Sequence, residues 1–198
     1  MGADGLLLVT PYYNKCTQDG LLAHYLTIAD AVTCPIIAYS VPGRTGMDIS
    51  VETCVRLSQH PNINGIKEAS GNISLAAEIR GRCGNDLYIW SGNDDCTLPL
   101  MALGALGVIS VASNILPGVV ARLCELCAVG DFAAATELYA KYFKLFSALF
   151  IETNPIPVKT AMKLLSYDSG IMRLPLISMG EDNRAKLPSA MRDVGLNV

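Results

Sequence analysis

Five short apolar runs rich in β-branched and aromatic residues recur along the 198-residue chain: Leu6 to Val9, Pro35 to Tyr39, Ile63 to Ile66, Leu87 to Trp90 and Gly107 to Val111. From the second run onward they begin about twenty to thirty residues apart, the length of a strand plus the helix that carries the chain back to the same end of a sheet. Continuous rather than alternating hydrophobicity predicts strands covered on both faces, as in a parallel sheet. Helical patterns fill the intervals, from Thr17 to Ala31, Ser50 to Gln59, Ser74 to Arg82 and Thr97 to Leu103. The second of these opens on Ser50-Val51-Glu52-Thr53, a hydroxyl cap with an early acid. After Ser113 no strand candidate remains, and the pattern is helical from Pro117 to Cys127, Phe132 to Phe150, Ile156 to Leu165 and Asn183 to Val194. Gly130 reads as a helix stop and Asp131 as the cap of the next helix. The chain therefore divides into an α/β part, residues 1–116, and a helical part, residues 117–198.

Composition excludes several classes of function. At 51% hydrophobic and 17% charged, the chain has the material for a sizeable core. A net charge of -3 without any Lys/Arg block leaves no electrostatic footprint for nucleic acid or an anionic membrane. The N-terminal apolar run is too short for a signal peptide or a membrane span, and Leu6 stands where a myristoylation signal needs Ser or Thr. Seven scattered cysteines argue against a disulfide scaffold and for a reducing, cytoplasmic setting. Cys124-x-x-Cys127 falls inside a helical run instead of at a helix N-terminus, where thiolates are stabilised. With only His24 and His60 elsewhere, no metal site is expected. Asn72-Ile73-Ser74 fits the glycosylation triplet by chance.

Special residues follow the strands at their C-terminal ends: Thr10-Pro11-Tyr12-Tyr13, Tyr39 with Val41-Pro42-Gly43-Arg44-Thr45-Gly46, Lys67, Ser91-Gly92-Asn93-Asp94-Asp95, and Ser113-Asn114. In a parallel α/β fold these ends open on one face, where ligands bind. A lysine at a buried strand end is a poor choice unless its amine has work to do. Desolvation favours the neutral form, which can condense with a ketone to a Schiff base. The plainer alternative is a lysine whose stem packs while its head reaches water. Imine chemistry on a keto acid also needs a carboxylate anchor and a proton donor and acceptor. Arg44 can grip a carboxylate bidentately, and Tyr39 and Tyr13 can pass protons. Each has another reading: a strand tyrosine with its hydroxyl at the rim of the core, or an arginine in a structural ion pair.

Six motifs, Thr10-Pro-Tyr-Tyr13, Tyr39-x-Val-Pro-Gly-Arg-Thr-Gly46, Gly65-Ile-Lys-Glu-Ala69, Ser91-Gly-x-Asp94, Gly107-Val-Ile-Ser-Val111 and Asn154-Pro-Ile-Pro-Val-Lys159, resemble the dihydrodipicolinate synthases of the pyruvate-dependent class I aldolase superfamily. The resemblance runs from Gly2 to the last helix, and Arg44 favours the synthases over the sialic-acid-cleaving lyases. It implies the (β/α)8 TIM barrel, here with only the last five βα units plus a helical C-terminal extension, and a homotetramer built as a dimer of dimers. The implied reaction condenses pyruvate with L-aspartate 4-semialdehyde to 4-hydroxy-tetrahydrodipicolinate, on the diaminopimelate route to lysine. Lys67 would form the imine, Tyr39 would move protons beside it, and Tyr13 would be the relay tyrosine reaching a neighbour's site. Arg44 would receive carboxylate, Ile109 would contact pyruvate through backbone, and Gly92 would line the pocket. Tyr12 would belong to the region where lysine inhibits some members. No metal or organic cofactor is implied.

Ser40 stands where asparagine is common and Cys16 where proline is common, and both substitutions are tolerable. The family's first three βα units, with their Thr-Thr pair, have no counterpart. Five strands cannot close a barrel, so exposed parallel edges are expected. Met-Gly-Ala-Asp-Gly reads as a helix end running into a strand, so Met1 is expected to be an internal methionine of a longer protein. Two alternatives stay open: another pyruvate-dependent 2-keto-acid aldolase of the sugar-acid type, and a non-catalytic remnant that partners a complete homologue. An open doubly wound sheet is disfavoured because no phosphate-binding glycine loop follows the first strand.

Overall fold

Each apolar run becomes a strand: β1 Leu6–Val9, β2 Ile36–Ser40, β3 Ile63–Glu68, β4 Tyr88–Ser91 and β5 Gly107–Val108. They form one five-stranded sheet in the order β1-β2-β3-β4-β5, and every neighbouring pair is parallel. The computed structural model describes residues 2–198, so Met1 and the expectation attached to it lie outside the described residues. The chain divides into two units, one ending at Ile109 and one running from Ser110 to Val198.

In the first unit the sheet is followed strand by strand by helices with chemically defined starts. These are α1 Gln18–Ala31, α2 Pro42–Thr45, α3 Val51–Leu57, α4 Ile73–Cys83 and α5 Thr97–Ala102. Thr17, Ser50 and Asn72 cap α1, α3 and α4 by accepting from the backbone N–H groups of Gly20, Thr53 and Leu75. The single turn α2 interrupts a segment expected as loop. Pro42 opens it, and Gly46, at φ +74°, closes it in the left-handed conformation with its N–H bonded to the Pro42 carbonyl.

Side chains alternate across the sheet, and only one face is fully buried. Ile36, Ala38, Ile63, Ile66 and Ile89 belong to the core, together with Leu21 and Tyr25 of α1, Cys54 and Leu57 of α3, Ile79 of α4 and Leu100 of α5. The Tyr25 hydroxyl donates to the Leu8 carbonyl at 2.8 Å, tying α1 to β1. On the other face Leu7 is 44%, Val9 37% and Tyr88 41% exposed. This corrects the expectation of two covered faces: β2 alternates buried and half-buried positions along its length. Two strands also end differently from their sequence pattern. β3 runs on through Lys67 to Glu68, because both residues pair with β2 and β4. β5 stops at Val108, and the Ile109 N–H makes one further bond to the Ser91 carbonyl at 2.9 Å.

The second unit holds α6 Pro117–Ala128, α7 Phe132–Ala148, α8 Ile156–Leu164, α9 Glu181–Arg184 and α10 Lys186–Asp193. Gly130, at φ +79°, ends the α6 segment, and Asp131 caps α7 through the Ala134 N–H at 3.1 Å. α7 packs against α6 and α10, and Lys144 pairs with Asp193. The single helix expected from Asn183 to Val194 is broken at Ala185. Pro188 supplies the reason, since its ring would collide with the carbonyl of Arg184 in a continuous helix but is tolerated in the first turn of α10. Among the described residues, no helix is long and apolar enough to cross a membrane.

Candidate active site

The register of the sheet decides which side chains meet. Val9 pairs with Tyr39, Tyr39 with Lys67, Lys67 with Trp90 and Trp90 with Gly107. Partners in register on parallel strands point to the same face. Tyr39, Lys67 and Trp90 therefore stand side by side on the open face, near the C-terminal ends of three adjacent strands. Ser40, Glu68 and Ser91 form the next row, on the helix-covered face, where all three are buried. Lys67 and Glu68, neighbours in sequence, are thus separated by the sheet.

The Lys67 ammonium nitrogen lies 4.2 Å from the centroid of the Tyr39 ring. Burial pushes the Lys67 amine below the usual lysine range, the Asp94 carboxylate opposes that shift, and the Arg44 guanidinium adds to it. The Tyr39 phenol moves the other way, raised by burial and drawn back in part by Arg44. The pair is thereby biased toward a neutral amine beside a phenol that keeps its proton.

Arg44 sits in α2, one residue before its end, and its charge acts on both Lys67 and Tyr39. Gly92 follows β4, where its N–H donates to the Glu68 carbonyl at 2.7 Å. A Cβ there would come 2.5 Å from the Ala69 Cβ, so close approach of two backbones dictates glycine. Ile109 continues the ladder from β5. Tyr12 and Tyr13 lie on the turn after β1, 70% and 92% exposed, and Tyr13 adopts a left-handed φ of +67°. The structure thus gathers Lys67, Tyr39 and Arg44, sets Gly92 and Ile109 at the adjoining strand ends, and leaves both loop tyrosines open to solvent.

Several polar groups around this cluster were given no role in the sequence. Asp94, 2% exposed, opens a 3-10 turn after β4, and Ser91 fixes that turn by donating to the Asn93 carbonyl at 2.7 Å. Glu68 accepts from the Ser70 N–H at 2.8 Å, and burial raises its carboxyl above the usual range. Thr10 is fully buried at the end of β1, and its Oγ1 has no hydrogen-bond partner among the described residues. Asp94 and Thr10 lie within two of the recurrent strand-end motifs, which was the available signal. Trp90 carried none except its place in an apolar run.

The profile of the dihydrodipicolinate synthetase family matches residues 1–194. The chain is 52% identical to 4-hydroxy-tetrahydrodipicolinate synthase of Geobacter sulfurreducens, over 98% of this chain and 67% of that protein. It superimposes on the crystal structure of dihydrodipicolinate synthase from Aquifex aeolicus with a TM-score of 0.96 and 46% identity, covering 98% of this chain and 67% of that one. The chloride-inhibited dihydrodipicolinate synthase of Acinetobacter baumannii, crystallised with pyruvate, gives a TM-score of 0.95 and 45% identity over 99% of this chain and 67% of that one. The chain spans about two thirds of the length of each of these relatives.

Proposed function

Because the chain belongs to the dihydrodipicolinate synthetase family, we propose that it is a Schiff-base lyase condensing pyruvate with L-aspartate 4-semialdehyde to 4-hydroxy-tetrahydrodipicolinate. This is the entry to the diaminopimelate route of lysine biosynthesis, placed in the cytoplasm and carried out by a homo-oligomer. The observation that carries the proposal is the Lys67 amine held 4.2 Å over the Tyr39 ring, in a row where burial lowers the proton affinity of the amine.

Neutral Lys67 attacks the pyruvate ketone carbon, and the carbinolamine loses water to a protonated imine. That cation is the electron sink: loss of a methyl proton leaves an enamine, whose carbon adds to the aldehyde of the second substrate. Tyr39 returns a proton to the carbinolamine hydroxyl and receives it back at the enamine step, a role suited to a phenol that stays protonated at neutral pH. The amino group of the semialdehyde then attacks the imine carbon, closing the ring and releasing Lys67. Arg44 faces the incoming carboxylate. Gly92 and the Ile109 backbone line the pocket, Tyr13 extends the proton relay, and Tyr12 belongs to a lysine-responsive region. The scheme calls for no cofactor or metal.

Incubation with pyruvate followed by borohydride should fix a three-carbon adduct on the Lys67 peptide, and Lys67→Met should remove it. Absence of adduct in the native chain would defeat the imine reading. A second reading, a non-catalytic partner of a complete homologue, draws on the outer edges of β1 and β5, which no further strand pairs among the described residues. Turnover of semialdehyde by the 198-residue chain alone would exclude it.

A further inference from the structure

We propose that Trp90 is a positioning residue for Lys67, its indole walling the lysine stem on the β4 side, opposite Tyr39, and keeping water from the amine. The proposal deepens the reading of Lys67 as the imine-forming amine and rests on it.

Lys67 rises from the middle of three strands whose register partners on its two sides are both aromatic, Tyr39 on β2 and Trp90 on β4. Neighbouring strands are about 4.8 Å apart, so a side chain between them emerges with a ring on each flank. On the β2 flank the contact is direct, with the nitrogen 4.2 Å from the ring centroid. On the β4 flank the indole packs down onto the neighbouring strand. It lies over Gly65, two residues before Lys67 on the same face, where a Cβ would come 2.4 Å from its Cζ3 and 3.1 Å from its Cε3. Tyr88 meets it edge-on, with ring centroids 6.3 Å apart and planes at 69°. The indole thus fills the space a side chain at position 65 would take, at the foot of the lysine stem. Glycine at 65 and tryptophan at 90 are one device.

Burial is the leading cause of the lowered proton affinity of Lys67, ahead of any charged neighbour. On an otherwise open face, burial of one stem has to come from the few groups beside it, and Trp90 is the bulkiest of them. It is also the only tryptophan in the chain, so its emission reports on this one environment.

Two measurements on the 198-residue chain test the proposal. The first is the pH dependence of Lys67 acetylation by limiting acetic anhydride, read by mass spectrometry against exposed lysines of the same molecule. Trp90→Ala should move the midpoint up by about half to one pH unit, cutting Lys67 labelling at pH 8 by about three- to tenfold, while Trp90→Phe restores most of the loss. The second uses the native tryptophan and needs no variant at position 90. Its emission should change with pH at the Lys67 midpoint, and Lys67→Met should abolish that transition. An unchanged acetylation midpoint in Trp90→Ala, or an emission transition that persists in Lys67→Met, overturns the proposal. Borohydride trapping with pyruvate on the same samples keeps the two readings apart. No adduct, with a midpoint that still rises in Trp90→Ala, upholds the wall and rejects the imine; adduct with an unmoved midpoint does the reverse.

Discussion

Replacing Gly65 with alanine puts a number on the packing beneath Lys67. The added methyl would sit 2.4 Å from the indole Cζ3 of Trp90 and 2.7 Å from the Tyr88 carbonyl oxygen. The indole can tilt, but the Tyr88 carbonyl is part of the β3–β4 backbone, where Gly65 and Tyr88 are register partners. Relieving both contacts means displacing one strand against the other. Overpacking costs about 1–3 kcal/mol, and a clash that includes backbone belongs at the upper end. Loss of glycine's freedom in the unfolded chain offsets about 0.5–1 kcal/mol, so the net destabilisation is about 2 kcal/mol. With a urea dependence of about 2–3 kcal/mol per molar, the unfolding midpoint should fall by about 0.7–1 M. Far-UV circular dichroism follows every variant, and Trp90 emission those that keep the indole. In a Trp90→Ala background only the clash with the carbonyl survives, so the same glycine substitution should cost about half as much. An unchanged midpoint in the single variant, or strict additivity in the double, would refute the claim that Gly65 exists to admit the indole.

Lys67→Met should be more stable than the native chain at pH 7. With its folded proton affinity lowered, the contribution of Lys67 is complete above the ordinary value of 10.5 and is lost as pH falls through the folded value; urea midpoints at pH 7 and near pH 10.5 should therefore converge only at the higher pH. Glu68 carries the opposite sign. Its raised carboxyl contributes fully below the ordinary 4.5 and loses that contribution as pH rises through its folded value, so Glu68→Gln should flatten the decline in stability that runs from 4.5 up to that folded value. The amide keeps an oxygen for the Ser70 N–H, and an unaltered pH profile would count against the burial argument. Asp131→Ala removes the cap of α7 and should cost about 1 kcal/mol, lowering the thermal midpoint by about 2–4 °C.

The strands were legible because hydrophobic runs and their spacing are local signals, and the helix starts at Thr17, Ser50 and Asp131 because a cap is written in one residue and its neighbours. α2 was missed because a four-residue turn has no periodicity to detect; only Pro42 and Gly46 marked it. The break before α10 was written in Pro188 and overlooked because the apolar spacing around it continues. The exposed sheet face was misjudged for a different reason. A run such as Ile36 to Tyr39 is apolar on both sides, and nothing in it distinguishes a face covered by helices from one that awaits other strands or a ligand.

Register is what turns these local elements into a site. Tyr39 and Lys67 are 28 positions apart in the numbering, and their meeting depends on an irregularity in the β2–β3 pairing, where Ile36 opposes Ile63 but Ile37 opposes Gly65. The extra residue on β3 is Asn64, which is exposed. Without that bulge every later residue of β3 would shift by one, and Ile66 would replace Lys67 beside Tyr39. The buried face would then receive the lysine and the open face the carboxylate, leaving no amine on the open face to form an imine. The catalytic proposal therefore depends on residue 64 standing outside the pairing as much as on the lysine. Deleting Asn64 leaves Ile37 opposite Gly65 and Lys67 beside Tyr39, so borohydride-dependent labelling should survive it, whereas inserting one alanine between Ile66 and Lys67, which turns the lysine onto the buried face, should abolish labelling.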